Sequence, residues 1–162
     1  MNPLYQNLIE RIRNELSDLE QVIERAQEGW SGIQASSAKE RQAFVDSVAL
    51  NLHGFYSGLE RLFELIARQV DSSLPEGAAW HRDLLQQMAQ DLPESRPAVI
   101  SQENAEILDE FRRFRHLVRN MYTINLTPIK MEGLLQILPD FWPKLRAELL
   151  AFAYYLEALG GE

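Results

Sequence analysis

The sequence predicts an all-α fold, a bundle of five or six helices, and three observations carry that reading. Apolar residues recur every three or four positions through most of the chain. No segment alternates with period two for more than a few residues, so strands have no foothold. Clusters of Gly, Pro and Ser punctuate the periodic stretches at helix-length intervals, and no internal repeat or low-complexity tract interrupts them.

The first helix starts at Pro3, with Leu4, Leu8, Ile9, Ile12, Leu16, Leu19 and Ile23 forming one stripe. The uncharged, Gly- and Ser-containing stretch from Gly29 to Ser37 is expected to end it. A second helix spans about Ala38 to Val70, with Phe44, Val48, Leu52, Phe55, Leu59, Leu62, Leu65 and Ile66 as its apolar face, and stops before the turn cluster Asp71–Gly77. Its mid-helix residues His53, Tyr56 and Glu60 read as core packing, beside the small Gly54 and Gly58. A short helix follows from Ala78 to about Asp91, with Trp80 and His81 as an aromatic plug at its start, and Pro93 and Pro97 forbid its continuation.

Ser101 offers an N-cap oxygen to the fourth helix, and Glu103 and Glu106 suit the positive end of its dipole. That helix should reach about Tyr122. Thr127–Pro128 restarts a helix in the N-cap and N1 order, Pro139 is expected to interrupt it, and Phe141 to Leu159 forms a last helix ended by Gly160 and Gly161.

At 162 residues, with 46% hydrophobic and 25% charged residues, the chain has the length of a single domain over 1–162. A chain of this size buries roughly 70% of its unfolded surface, so no cofactor is needed for stability and none is expected. The absence of cysteine closes thiol catalysis, zinc ribbons and redox sensing. Met1 to Glu20 is charged and helix-patterned, unlike a signal peptide, which makes the cytoplasm the expected location. The longest uncharged stretch, Ser47 to Leu59, contains Asn51, His53 and two Gly and is too short and polar to span a membrane, so no membrane association is expected.

The charge map singles out one segment. Sixteen Lys and Arg against 24 Asp and Glu give a net charge of −8, which argues against a surface that attracts nucleic acid everywhere. Between Phe111 and Met131, however, stand Arg112, Arg113, Arg115, Arg119 and Lys130 without one carboxylate, and the rest of the chain therefore carries −13. A phosphate backbone would be attracted here and repelled elsewhere.

Helix geometry divides this segment into two stripes. Ile107, Phe111, Phe114, Val118 and Met121 form the expected core face. Arg112, Arg115, His116, Arg119 and Tyr122 form a continuous second stripe beside it, at a half-buried edge. Arginines there can hold phosphate oxygens bidentately and a histidine can move a proton, the two requirements for phosphodiester transfer by RNA's own 2′-hydroxyl, without a metal. The plainer alternative is a helix whose acid-to-base gradient complements its macrodipole.

At Phe114-Arg115-His116-Leu117-Val118-Arg119-Asn120-Met121-Tyr122 the sequence resembles the HepT-like toxins of the HEPN superfamily, dimeric all-α ribonucleases encoded beside a minimal nucleotidyltransferase. Their motif is Arg, four to six residues, His, one residue and Tyr. Arg115 and Tyr122 match it in register, whereas Asn120 occupies the His position and the neighbouring histidine is His116. The long first helix, the Gly54 to Ala67 pattern, the Leu74–Pro75 turn and the Pro139 region extend the resemblance over nearly the whole chain.

The resemblance implies a HEPN-like helical bundle, a homodimer, and a nucleotidyltransferase antitoxin that can modify Tyr122. Two functional readings follow from it. In one, the chain is a metal-independent endoribonuclease in which Arg115 positions the scissile phosphate, His116 replaces the displaced catalytic histidine, and Arg112 and Arg119 clamp the RNA. In the other, Asn120 marks the loss of catalysis, because an amide cannot exchange a proton near neutral pH, and a dimeric module remains that binds RNA or the nucleotidyltransferase. A di-iron site lacks its Glu-x-x-His pairs: Leu50, Ala78 and Arg113 precede the three histidines at that spacing. Nucleophile elbows and Gly-rich phosphate loops are missing as well.

Overall fold

The computed structural model describes residues 2–120 and 126–161, apart from the side chain of Leu4. Five helices follow one another: α1 (Pro3–Ala35), α2 (Ala38–Ile66), α3 (Trp80–Met88), α4 (Gln102–Arg119) and α5 (Ile129–Gly160). Among the described residues no strand forms, and the fold is the all-α, HEPN-like bundle the periodicity predicts. Met121 and Tyr122, expected on α4, lie outside the described residues.

α1 and α2 form a long antiparallel hairpin joined through Ser36 and Ser37. The expected break at Gly29 does not occur, and α1 continues to Ala35. Gly29 and Gly32 act as contact points there rather than as helix breakers. A Cβ on Gly29 would stand 2.8 Å from Cγ2 of Val48, and one on Gly32 would stand 2.5 Å from the Phe44 ring, so the missing side chains set how closely the helices approach.

The second correction concerns Pro139. Both Pro139 and Pro143 lie inside α5, which runs unbroken, so the two final helices expected from the sequence are one. An interior proline costs about 3 kcal/mol through its missing N–H and its clash with the preceding turn. Leu138, Phe141, Trp142 and Leu145 are all buried, and at about 2 kcal/mol each their burial outweighs two such penalties. α5 packs antiparallel on α1, with Arg13 on Glu157 at 2.7 Å.

α2, α4 and α5 meet in an aromatic cluster. Phe55 stands edge-on to Phe111 at 5.2 Å and to Trp142 at 5.9 Å, and Phe111 stacks on Phe141 at 5.9 Å. α2 ends in a π-helical turn, Ala67–Asp71, closed by Ser72 at a positive φ of 53°. The wider turn carries Asp71 inward to Arg96 of the loop that follows α3. Arg96 donates to both Asp71 carboxylate oxygens, at 2.6 and 2.7 Å, and to the carbonyls of Gln87, Gln90 and Pro97. All five guanidinium N–H groups are thereby used in a site with no exposure, which fixes α3 against the end of α2.

Candidate functional site

α4 positions the basic stripe, and its first turn is fixed from two sides. Ser101 Oγ accepts the Asn104 backbone N–H at 3.1 Å, while Glu148 of α5 accepts the Ser101 N–H at 2.7 Å and the Asn104 side-chain amide. Leu108, Phe111 and Phe114 then face the core, while Ile107 and Val118, expected on that stripe, are only half-buried. The core face is thus rotated toward Leu108 and Arg115. Arg112 and Arg115 are half-buried and His116 and Arg119 exposed, as an edge stripe requires.

The cations differ in their surroundings. Arg112 Nε donates to Asp109 at 2.7 Å and Arg113 Nε approaches the same carboxylate at 3.4 Å, so both are partly neutralised. Arg119 has no carboxylate within ion-pair distance among the described residues. Arg115 Nη1 donates to Glu60 Oε1 at 2.6 Å, and its Nε is buried without a partner among the described residues. The Arg115 guanidinium also lies 6.0 Å from the centre of the Tyr56 ring.

Glu60 joins this helix to α3. Its carboxylate is buried, accepts Arg115 through Oε1, and meets Nδ1 of His81 at 2.9 Å through Oε2. His81 stacks on Trp80, with ring centres 3.6 Å apart, and remains partly exposed. An open pocket of about 630 Å³ lies between α4 and the start of α3. His81, Arg82, Arg112, His116, Arg119 and Asn120 contribute to its walls, and Arg115 joins His81 and His116 in an adjoining recess.

Two neighbouring groups report the field of the site. Burial, then the charges of Arg115 and Arg119, lower the pKa of His53 below the ordinary imidazole value. Burial and the Glu60 carboxylate raise the Tyr56 hydroxyl above the usual phenol range, with Arg112 and Arg115 opposing them. Asn120 donates from Nδ2 to the His116 carbonyl at 2.8 Å, and that nitrogen stands 3.5 Å from the His116 ring. The Asn120 amide therefore closes the end of α4 beside the histidine.

Arg112, His116, Arg119 and Asn120 thus line one pocket and Arg115 the recess beside it; Tyr122, the expected modification site, lies outside the described residues. By sequence pattern alone, Glu60 and His81 read as packing residues. Tyr56 and Glu60 are indeed buried, yet Glu60 holds Arg115 and a cleft histidine. The signal was available: Glu60 shares a helical face with Leu52, Tyr56 and Phe63, and a carboxylate on an apolar stripe requires a partner. Among the described residues no three His, Cys, Asp or Glu side chains gather as metal ligands would. Nor is any helix among them long and apolar enough to cross a membrane.

The fold and the groove define an all-α bundle of the HEPN-like class, with its cationic groove on the fourth helix. The family model for HepT-like proteins matches residues 47–156, and the chain belongs to that family. No curated protein and no solved structure matches it.

Proposed function

We propose that this HepT-like protein is the toxin of a toxin–antitoxin pair, a metal-independent endoribonuclease that acts as a homodimer in the cytoplasm. The observation that carries the reading is the meeting of Arg112, Arg119 and His116 on one open cleft beside a half-buried Arg115. Arg119 and Arg112 supply donors for phosphate oxygens, and their positive charge opposes the charge that develops on phosphorus-bound oxygen in the transition state. His116 exchanges a proton with a reacting oxygen. The partner in this reading is a minimal nucleotidyltransferase antitoxin, which silences the protein by modifying Tyr122 with a negatively charged group.

The test is cleavage of a mixed RNA pool in excess chelator by the parent protein, His116→Ala and Arg119→Ala, purified identically. The expected result is chelator-resistant cleavage with 2′,3′-cyclic phosphate ends, lost in His116→Ala and weakened in Arg119→Ala. A second reading, a silent binding module, draws on Asn120, whose amide is bonded to the His116 carbonyl at 2.8 Å and has no proton to exchange. RNA binding without cleavage by the parent would favour that module.

A further inference from the structure

We propose that His81 is the general base of this site, with Glu60 as the residue that positions it. The inference rests on the ribonuclease reading above and extends it to a residue outside the Arg115–Tyr122 motif.

Glu60 offers one carboxylate oxygen to each of its two neighbours. Arg115 has only donors, so Glu60 Oε1 is an acceptor in the 2.6 Å contact. A carboxylate held in this way accepts through its second oxygen too, which places the His81 proton on Nδ1, the nitrogen 2.9 Å from Oε2. Nε2 then carries the lone pair. Glu60 is 4% exposed, so this orientation is held within the bundle rather than by solvent. The His81 ring is in turn a wall of the cleft that Arg112, His116 and Arg119 also line. Asn120 cannot accept a proton, and His81 supplies that capacity from α3.

The step balances without an added reactant. Nε2 of His81 takes the proton of the 2′-hydroxyl while the O2′ lone pair forms a bond to phosphorus. The bond from phosphorus to O5′ breaks, its electron pair passes to O5′, and O5′ takes a proton from the protonated His116 ring. The products are a 2′,3′-cyclic phosphate and a 5′-hydroxyl, and water restores both imidazoles.

Cleavage rates of the folded parent, His81→Gln, His116→Ala and Glu60→Gln are compared on an RNA strand with its natural 5′-oxygen and on one with a 5′-sulfur leaving group. His81→Gln is expected to lose roughly a hundredfold on both substrates, because the base is needed for each. His116→Ala should recover on the sulfur substrate, whose leaving group needs no acid. Glu60→Gln should lower the rate on both substrates and release the His81 ring from its Nδ1–H form in nitrogen NMR, an effect a purely structural residue would not produce. Cleavage by His81→Gln within twofold of the parent overturns the assignment, and so does its recovery on the sulfur substrate.

A second measurement does not depend on turnover. Nitrogen NMR of the histidine rings of the parent should show His81 as the Nδ1–H tautomer, with its Nε2 signal moving when a 2′-deoxy oligonucleotide is added. An Nε2–H tautomer, or an unmoved Nε2 signal while the Arg119 side chain responds, overturns the proposal even if the parent cleaves RNA. A parent that does not cleave removes the ribonuclease reading, and the base assignment with it; the NMR result then decides only whether His81 faces a bound strand.

Discussion

Arg115 Nη1 donates to Glu60 Oε1 at 2.6 Å, across the packing of α4 on α2, so this arginine of the basic stripe is held by a buried carboxylate. Breaking a buried pair leaves one charge uncompensated. Arg115→Ala should therefore lower stability by about 3 kcal/mol in urea unfolding, with His81 remaining as a partner for Glu60. The double variant Arg115→Met with Glu60→Leu should lose clearly less than the sum of the two single changes, because no lone charge is left behind. Additive losses would show that the two groups do not interact.

Arg96 is the more deeply buried cation, with all five donors bonded. Arg96→Ala should cost about 4 kcal/mol. Arg96→Lys should restore little, since an ammonium cannot reproduce the planar bidentate contact with Asp71. Thermal unfolding followed by circular dichroism distinguishes the two.

The helical glycines divide by what stands opposite them. Gly29→Ala would place a Cβ 2.8 Å from Cγ2 of the buried Val48, and overpacking of about 2 kcal/mol exceeds the roughly 1 kcal/mol that Ala contributes in a helix. Gly54→Ala meets nothing within 4 Å and should stabilise by about 0.5–1 kcal/mol. Opposite signs for the two variants in one denaturation series are the expected outcome.

His53 should titrate below the ordinary imidazole value in a proton NMR titration, with burial the leading cause and Arg115 and Arg119 adding to it. As pH falls below about 6.5, the unfolded chain takes up a proton that the folded chain still refuses, so this group makes stability decline on the acid side. His53→Gln should reduce that part of the acid loss. Arg119→Ala removes a nearby positive charge and should raise the pKa of His53.

Much of this was legible in one sequence, and the misses have physical causes. The apolar stripes located every helix because burial imposes the 3.6-residue period, and the abrupt change of sign after Glu110 located the cleft. Gly29 and Pro139 misled because local propensity favours a break at each, whereas the approach of Val48 to Gly29 and the burial of Leu138, Phe141, Trp142 and Leu145 decide otherwise. Glu60 and His81 lie 55 and 34 residues before Arg115, so their convergence depends on how α2, α3 and α4 pack. Periodicity within one helix carries no information about that.

The most direct measurement compares one RNA strand with the same strand carrying a single 2′-deoxy nucleotide at the mapped cleavage site, both with the parent protein in excess chelator. The expected result is cleavage of the first strand to a 2′,3′-cyclic phosphate and none at that site in the second, because the attacking oxygen is the RNA's own. Equal cleavage of both strands, or 5′-phosphate ends, would contradict it.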